Sequence, residues 1–293
     1  MTNDNSKSEQ NPVLFQAPLP SEDIWLLYTS QKDKDQDTAI VKRRVSRDLG
    51  ETWDTPTILF EEPGTFIRQP MVALDNNTWV LPAFKCITQP GVKWVGNYDI
   101  SCVKASNDGG KTWTETDVPD SYGLVHMAIR RLSDNTYMAV LRSRWADKIY
   151  ASFSKDGISW AAPTPTTLPN PNSGICFDAL KSGEIIIVYN HSSKLDATSK
   201  VVDDQTKDPN LERQAFWGAP RAPLCLAWSS DKGNSWTHKV LEDGSGSCEK
   251  GKPNRELSYP SITISKDEVV HITFTFWRQK IKYIRLRADS ILR

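Results

Sequence analysis

The chain has 293 residues, of which 36 are basic (Lys or Arg) and 36 are acidic, so its formal net charge is zero. A balanced charge does not favour binding to nucleic acid or to an anionic membrane surface. No run of about 18 apolar residues predicts a membrane span. The polar N-terminal segment MTNDNSKSEQN lacks the apolar core of a signal peptide. We therefore expect a cytoplasmic protein with neither nucleic acid nor a membrane as partner, whose oligomeric state stays open.

Five cysteines are scattered through the chain. Their number is odd and no CxxC pair occurs, which argues against a disulfide framework and against a zinc site. We expect buried free thiols, no metal and no organic cofactor. The cysteines are Cys86, Cys102, Cys176, Cys225 and Cys248.

Short apolar or alternating segments bounded by Asn, Asp, Gly and Ser run along the whole chain and predict antiparallel strands. In each group a pair of strands joined by a polar turn precedes another strand. In chain order the groups are 11–15, 23–29 and 38–45; 68–84 and 98–105; 126–144 and 148–153; 176–190 and 223–228; 259–276 and 281–287. The polar segment 192–216 is predicted to be a surface loop.

A turn motif, Ser-x-Asp-x-Gly-x-Ser/Thr-Trp, follows the last strand of the first four groups. In this Asp box, the Ser and Asp side chains are expected to bond nearby backbone N–H groups. The Gly takes a positive φ, and the Trp anchors the turn. The boxes begin at Ser46, Ser106 and Ser229, and a copy shortened by one residue begins at Ser154.

A strand-and-turn unit repeated at regular intervals is typical of β-propellers. We predict an all-β propeller of four-stranded antiparallel blades, five of them visible, that forms one domain over residues 1–293. The boxes are structural turns and predict the fold alone.

The boxes, together with the stretches FIRQP, VHMAIRRL, RAPLCLAWSS and ELSYPSI, resemble sialidase-like proteins with BNR repeats from bacteria and fungi. The resemblance covers essentially the whole chain. It implies a six-bladed propeller, so we expect either that the first blade is missing from the N-terminus or that the chain forms a ring of five blades. The chain is also similar to fungal rhamnose-glucuronate lyases, and a fold alone does not decide between such activities.

The resemblance implies arginines that hold a substrate carboxylate and a catalytic tyrosine. Arg142 and Arg221 match the second and third arginines of the family, and Tyr259 matches the tyrosine. Arg144 shares a strand face with Arg142 because their spacing is even. Arg68 resembles the family's first arginine but lies one blade too late. For each residue taken alone, a surface or packing role is the alternative.

His126 occupies the position where the family has the glutamate that activates the tyrosine. A histidine and a tyrosine beside arginines suit β-elimination from a uronate, because the arginines neutralise the carboxylate and acidify the proton next to it. His126 and Tyr259 are therefore the predicted catalytic pair. A strand histidine satisfied by hydrogen bonds is the alternative for His126.

Further candidates follow from their places near strand ends. Asn170 and Asn172 are expected to contact sugar hydroxyls or to form a turn. His191 is expected to line the same face, Glu256 to act as an acid or to orient Tyr259, and Arg278 to bind a carboxylate or lie at the surface. Three tryptophans outside the boxes are candidates for stacking on sugars or for packing: Trp94, Trp145 and Trp217.

These residues predict an enzyme acting on an acidic oligosaccharide, with a lyase of the rhamnose-glucuronate type as the leading interpretation. A sialidase-like hydrolase is the second interpretation, and a non-catalytic glycan-binding propeller is the third.

Overall fold

Among the residues that the structure describes, the strands form five antiparallel sheets, each built from consecutive segments of the chain. A computed structural model describes residues 6–33, 35–197, 208, 211–245 and 256–292. The predicted loop residues 198–207, 209 and 210 and the predicted thiol of Cys248 lie outside the described residues. No helix among the described residues is long and apolar enough to cross a membrane.

The five sheets are the predicted blades. Blade 1 contains β1 (Ser8–Gln16), β2 (Ile24–Lys32), β3 (Asp35–Ser46) and β4 (Thr57–Phe60). Blade 2 contains β5 (Thr65–Ile67), β6 (Val72–Ala73), β7 (Trp79–Lys85), β8 (Ile100–Ser106) and β9 (Thr114–Asp117). Blade 3 contains β10 (Leu124–Arg131), β11 (Tyr137–Ser143), β12 (Lys148–Ser154) and β13 (Thr164–Pro169). Blade 4 contains β14 (Cys176–Ala179), β15 (Ile185–Asn190), β16 (Leu224–Ser229) and β17 (Thr237–Glu242). Blade 5 contains β18 (Leu257–Ile264), β19 (Val269–Phe276) and β20 (Lys280–Arg287).

Strands are hydrogen-bonded in chain order within each blade, as in propeller blades. Blade 2 has a broken first strand, because β5 and β6 both pair with β7 on either side of residues 68–71. Blade 5 has three strands among the described residues. The predicted all-β fold with five blades is confirmed.

The chain forms two compact units. The N-terminal unit consists of Met1–Ile129 and Ser154–Ala162, and the C-terminal unit of Arg130–Phe153 and Pro163–Arg293. Blades 1 and 2 belong to the N-terminal unit, and blades 4 and 5 to the C-terminal unit.

Apolar side chains on facing blades make the core of each unit. In the N-terminal unit, Trp25 of β2 meets Trp79 of β7 edge-on, with ring centroids 5.2 Å apart. In the C-terminal unit, β15 reads IIIVYN and is buried at every residue. By contrast, exposed and partly buried residues alternate along β20. A near-continuous apolar run indicates a strand covered on both faces, whereas alternation indicates one solvent-facing side.

The four Asp boxes have the predicted hydrogen bonds. In the first box, Ser46 Oγ accepts a bond from the Gly50 N–H at 2.8 Å, and Asp48 accepts one from the Thr52 N–H at 2.9 Å. Trp53 Nε1 donates to the Gly50 carbonyl at 3.1 Å. Bonds from the hydroxyl and the N–H of Thr52 lower the pKa of Asp48 to about 2. The Ser and Asp bonds recur in the other boxes.

Four of the predicted thiols are buried and form no disulfide, namely Cys86, Cys102, Cys176 and Cys225. Burial raises the pKa of Cys102 to about 12 and of Cys225 to about 11, so both thiols stay protonated near neutral pH.

Of the box glycines Gly50, Gly110 and Gly233, Gly110 has the least room for a side chain. Its φ is +81°, and a Cβ would lie 2.6 Å from Cη2 of Trp25, which is itself held against Trp79. Gly50 has a φ of +97° and open space around a Cβ. We expect Gly50→Ala to cost about 1 kcal/mol through backbone strain, and Gly110→Ala to cost about 2–4 kcal/mol because overpacking is added.

Urea unfolding of the two variants measures this difference, and Gly50→Ala is the matched control for the backbone term. Equal losses of unfolding free energy would show that the packing of Trp25 on Gly110 contributes nothing.

Candidate functional site

Six of the predicted residues lie close together in the C-terminal unit. We call them the arginine–tyrosine cluster: Arg142, Arg144, Arg221, Glu256, Tyr259 and Arg278. Tyr259 belongs to the start of β18, Arg221 precedes β16, and Arg278 lies in the turn between β19 and β20. The start of the first strand, the end of the second and the start of the third lie at the same end of an antiparallel blade. The blade topology therefore brings these residues together from distant parts of the sequence.

Arg221 lies between the tyrosine and the glutamate. Its Nη1 donates to the Tyr259 hydroxyl at 3.2 Å and to Glu256 Oε1 at 3.2 Å. Its guanidinium carbon also lies 5.1 Å from the centre of the Tyr259 ring. The other oxygen of Glu256 accepts from Arg278 Nε at 2.6 Å, and the Ser258 hydroxyl donates to Oε1 at 2.6 Å. Glu256 thus holds two arginines in place at once.

The charges in the cluster shift two pKa values downward. Burial alone would raise the pKa of Tyr259, but the positive charges of Arg221 and Arg142 outweigh it, and the pKa lies below its usual value. Burial would likewise raise the pKa of Glu256, and the bonds from Ser258 and Arg278 together with the charge of Arg221 outweigh it. Glu256 is therefore ionised at neutral pH, and the phenolate of Tyr259 is easier to form than that of an ordinary tyrosine.

Arg142 is buried, with 3% of its surface exposed, and is oriented by a neighbouring amide. Its Nε donates to Asn172 Oδ1 at 2.8 Å, and the amide nitrogen of Asn172 donates to the Phe216 carbonyl at 2.9 Å. The guanidinium carbons of Arg142 and Arg144 lie 5.9 and 5.1 Å from the centre of the Trp217 ring. The two arginines thus lie against one indole.

Asn170 and Asn172 use their side-chain amides for protein contacts. Asn170 donates to the Ser173 carbonyl at 3.0 Å and accepts from the Ser143 N–H at 3.4 Å. Both asparagines are fully buried. These contacts fit the turn role that was the alternative to sugar binding.

Tyr259 and the turn that carries Arg278 have strained backbones. Tyr259 has a φ of +54°, which is rare for a bulky side chain, and the β18–β19 register shifts between Ser258 and Ser261. Trp277 and Arg278 have φ values of +54° and +55°, at turn positions where Asn and Gly are usual. Strain of this kind is concentrated at functional sites.

Three further predicted residues are His126, Arg68 and His191. His126, in β10 of the N-terminal unit, is buried, has a φ of +56°, and lies 5.3 Å from the Phe84 ring. Arg68 follows β5, at the break in the first strand of blade 2. His191 accepts or donates a 2.5 Å bond with the Tyr189 hydroxyl and stacks on His238 of β17 at 4.3 Å. Burial and His238 lower the pKa of His191.

One group of metal-ligand side chains occurs among the described residues, namely Cys102, Glu115 and Asp117. Both carboxylates are already paired, since Lys85 bridges Glu115 and Asp117 at 3.0 and 2.6 Å. The thiol of Cys102 stays protonated, as described above, and a protonated thiol is a poor metal ligand. This group is better explained as an ion-pair network than as a metal site.

The sequence motifs do not predict two features of the site. Gly174 packs so closely on Tyr259 that a Cβ there would lie 3.1 Å from Cδ1 of the ring. Trp217 was one of three candidate tryptophans, and its sequence neighbourhood does not show that two arginines lie against it.

The similarity of the chain to a known family extends over most of its length. A family model described as BNR repeat-like domain matches residues 1–272. The chain belongs to the BNR repeat-like domain family. No curated protein sequence matches the chain.

Solved structures similar to this BNR repeat-like protein include several sialidases. The Hadza microbial sialidase Hz136 has a TM-score of 0.71 and 12% identity over 98% of this chain and 54% of that chain. The leech intramolecular trans-sialidase has a TM-score of 0.65 and 10% identity over 97% and 57%. A protein of unknown function from Dyadobacter fermentans has a TM-score of 0.67 and 14% identity over 99% and 81%.

At these identities the likeness shows the fold alone. The chain spans about half the length of the sialidase Hz136.

The charge of Arg221 lowers the pKa of Tyr259. We expect Arg221→Gln to raise the pKa of the Tyr259 phenol, because the variant removes a positive charge 3.2 Å from the hydroxyl. Ultraviolet difference titration measures the phenol, and Tyr259→Phe assigns its signal.

Arg213→Gln is the matched control, because Arg213 donates to a different tyrosine, Tyr150, at 2.8 Å. A Tyr259 titration that is the same in Arg221→Gln as in the parent protein would contradict the description of the cluster.

We expect the strained backbone at Arg278 to lower the stability of the fold. Its ion pair with Glu256 is expected to add little stability. Glycine at a φ of +55° relieves about 1 kcal/mol of strain. The ion pair lost with it is 64% exposed on the arginine side and is worth about 0–1 kcal/mol. Arg278→Gly should therefore unfold at the same urea concentration as the parent protein or a higher one.

Arg278→Lys keeps both the cation and the strained backbone and serves as the control for this experiment. A loss of more than about 2 kcal/mol in Arg278→Gly alone would mean that the positively charged side chain stabilises the fold.

Proposed function

We propose that the protein binds the carboxylate of an acidic glycan in the arginine–tyrosine cluster and cleaves the glycan by β-elimination. The observation that carries the proposal is the placement of the Tyr259 hydroxyl 3.2 Å from Arg221, in a cluster whose charges lower the phenol's pKa. A phenol whose pKa lies below its ordinary value forms the phenolate more readily, as a base that removes a proton must.

The charge of the cluster supports an acidic ligand. Four of its residues are arginines, and Glu256 is its single carboxylate. Guanidinium groups bind carboxylates through paired N–H donors, and an incoming carboxylate would offset the remaining positive charge. A fixed positive environment also stabilises the negative charge that develops when a proton is removed beside a carboxylate.

Elimination from a uronate needs a base that removes the C5 proton and a proton for the leaving oxygen. The phenolate of Tyr259 removes the proton from C5, and the electron pair of that bond forms a double bond between C4 and C5. The bond between C4 and the glycosidic oxygen breaks, and that oxygen leaves as a hydroxyl after protonation. His126 is the sequence-based candidate for the group that supplies this proton.

Hydrolysis of a sialoside is the second candidate function. It is supported by the position of Glu256, which shares the Arg221 donor with the Tyr259 hydroxyl, because a nucleophilic tyrosine needs a carboxylate close to it. The similar structures also include sialidases and trans-sialidases, one of them in complex with oseltamivir carboxylate.

The two functions give different products. Incubation with oligosaccharides that carry a glucuronate glycosylated at O4 should yield an unsaturated uronate, detected by its ultraviolet absorbance and by mass spectrometry. Tyr259→Phe should lower the rate at least about a hundredfold, because an acid–base group contributes that much or more. Arg221→Lys should weaken the reaction by removing the paired donors, and His126→Gln tests the second proton-transfer group.

Tyr283→Phe is the control, since Tyr283 is an exposed tyrosine that lies against His271 on β19. Release of free sialic acid from a parallel set of sialosides, without an unsaturated product, would replace elimination by hydrolysis. Saturable binding of both kinds of glycan without turnover would indicate a glycan-binding protein.

A further inference from the structure

A cleft of about 380 Å³ lies in the N-terminal unit, among residues that the proposed chemistry does not use. It is lined by Asp35, Asp37 and Thr38 at the start of β3 and by Lys93 and Trp94 in the segment after β7. Its volume is within the range of small-molecule sites, about 300–1,000 Å³.

The indole of Trp94 is fixed from two sides. Its Nε1 donates to Asp99 Oδ1 at 2.8 Å, and Asp99 is fully buried. The ring also packs on a small buried group that includes Phe66 and Phe84. Because the nitrogen is already bonded and the ring is held, Trp94 presents a fixed apolar surface to the cleft at little entropic cost.

The polar groups of the cleft are carboxylates and an ammonium. The Thr38 hydroxyl is used inside the protein, since it accepts from the Lys32 N–H at 3.0 Å and donates to the Asp35 carbonyl at 2.7 Å. Asp35, Asp37 and Lys93 then supply acceptors and donors for ligand hydroxyls. Together they carry a net charge of −1, which disfavours an anionic ligand.

We propose that this cleft binds a neutral pyranose, with one face of the sugar on Trp94 and its hydroxyls on Asp37, Asp35 and Lys93. A fixed aromatic surface beside a few convergent polar groups is the usual composition of a small-molecule site. The charge of the lining separates this ligand class from the acidic glycan expected at the arginine–tyrosine cluster. The inference rests on the contacts of the cleft and does not depend on the proposed function.

The proposal is tested by measuring the binding of glycosides in the absence of turnover. Saturation-transfer NMR and titration calorimetry on the whole chain would compare methyl glycosides of rhamnose, galactose and glucose with methyl glucuronide. We expect at least one neutral glycoside to bind with an affinity on the order of millimolar, as is usual for a single sugar ring. Asp37→Asn and Lys93→Ala should each weaken it several-fold, and Trp94→Ala should weaken it at least tenfold.

Asp120→Asn changes an exposed carboxylate elsewhere in the same unit and should leave the binding unchanged. Because Trp94 also packs on the core, Asp37→Asn and Lys93→Ala keep the test valid if Trp94→Ala does not fold. The proposal is overturned if no neutral glycoside binds, if methyl glucuronide alone binds, or if the folded cleft variants bind as tightly as the parent protein. Arg221→Lys should not affect this binding, so failure here is distinct from failure of the proposed function.

Discussion

Each of the first four blades depends on a short-range interaction, the capture of backbone N–H groups by the Ser and Asp side chains of an Asp box. Ser46 and Asp48 bond the N–H groups of Gly50 and Thr52, all within seven residues. Such a turn can form from local contacts, and it fixes where the third strand of a blade ends and the fourth begins. The copy at Ser154 keeps the same bonds with one residue fewer, so the hydrogen bonds rather than the loop length define the turn.

At the opposite end of the blades the backbone is strained rather than stabilised by local hydrogen bonds. Asn11, His126 and Tyr259 occupy corresponding places near the start of the first strand of their blades, with φ values of +53°, +56° and +54°. At Asn11 and Tyr259 the pairing register also shifts, which is the mark of a β-bulge that redirects a side chain. Neighbouring strands hold the backbone in these conformations, and Tyr259 thereby meets Arg221 instead of following the pleat of β18.

The sequence predicted features that are local and missed those that depend on distant contacts. The four boxes and the strand groups follow from spacing alone, and the match of Arg221 and Tyr259 to family positions came from short motifs. The break of the first strand at residues 68–71 and the strained turn at Arg278 left no such pattern. The bond from Arg142 to Asn172 joins residues 30 apart, and only the folded blades show that this asparagine orients an arginine.

Arg221 has two roles under the proposed function, and they affect each other. Its charge lowers the pKa of Tyr259 and so favours the phenolate, which is then a weaker base. A substrate carboxylate bound to Arg221 would offset that charge, raise the pKa of the phenol and strengthen the base at the moment when a proton must be removed. Glu256 stays bonded to Arg221 and Arg278 and is already ionised, so it acts as the resident counterion that keeps the arginines in place without a ligand. Substrate binding and base strength are in this way coupled through one guanidinium.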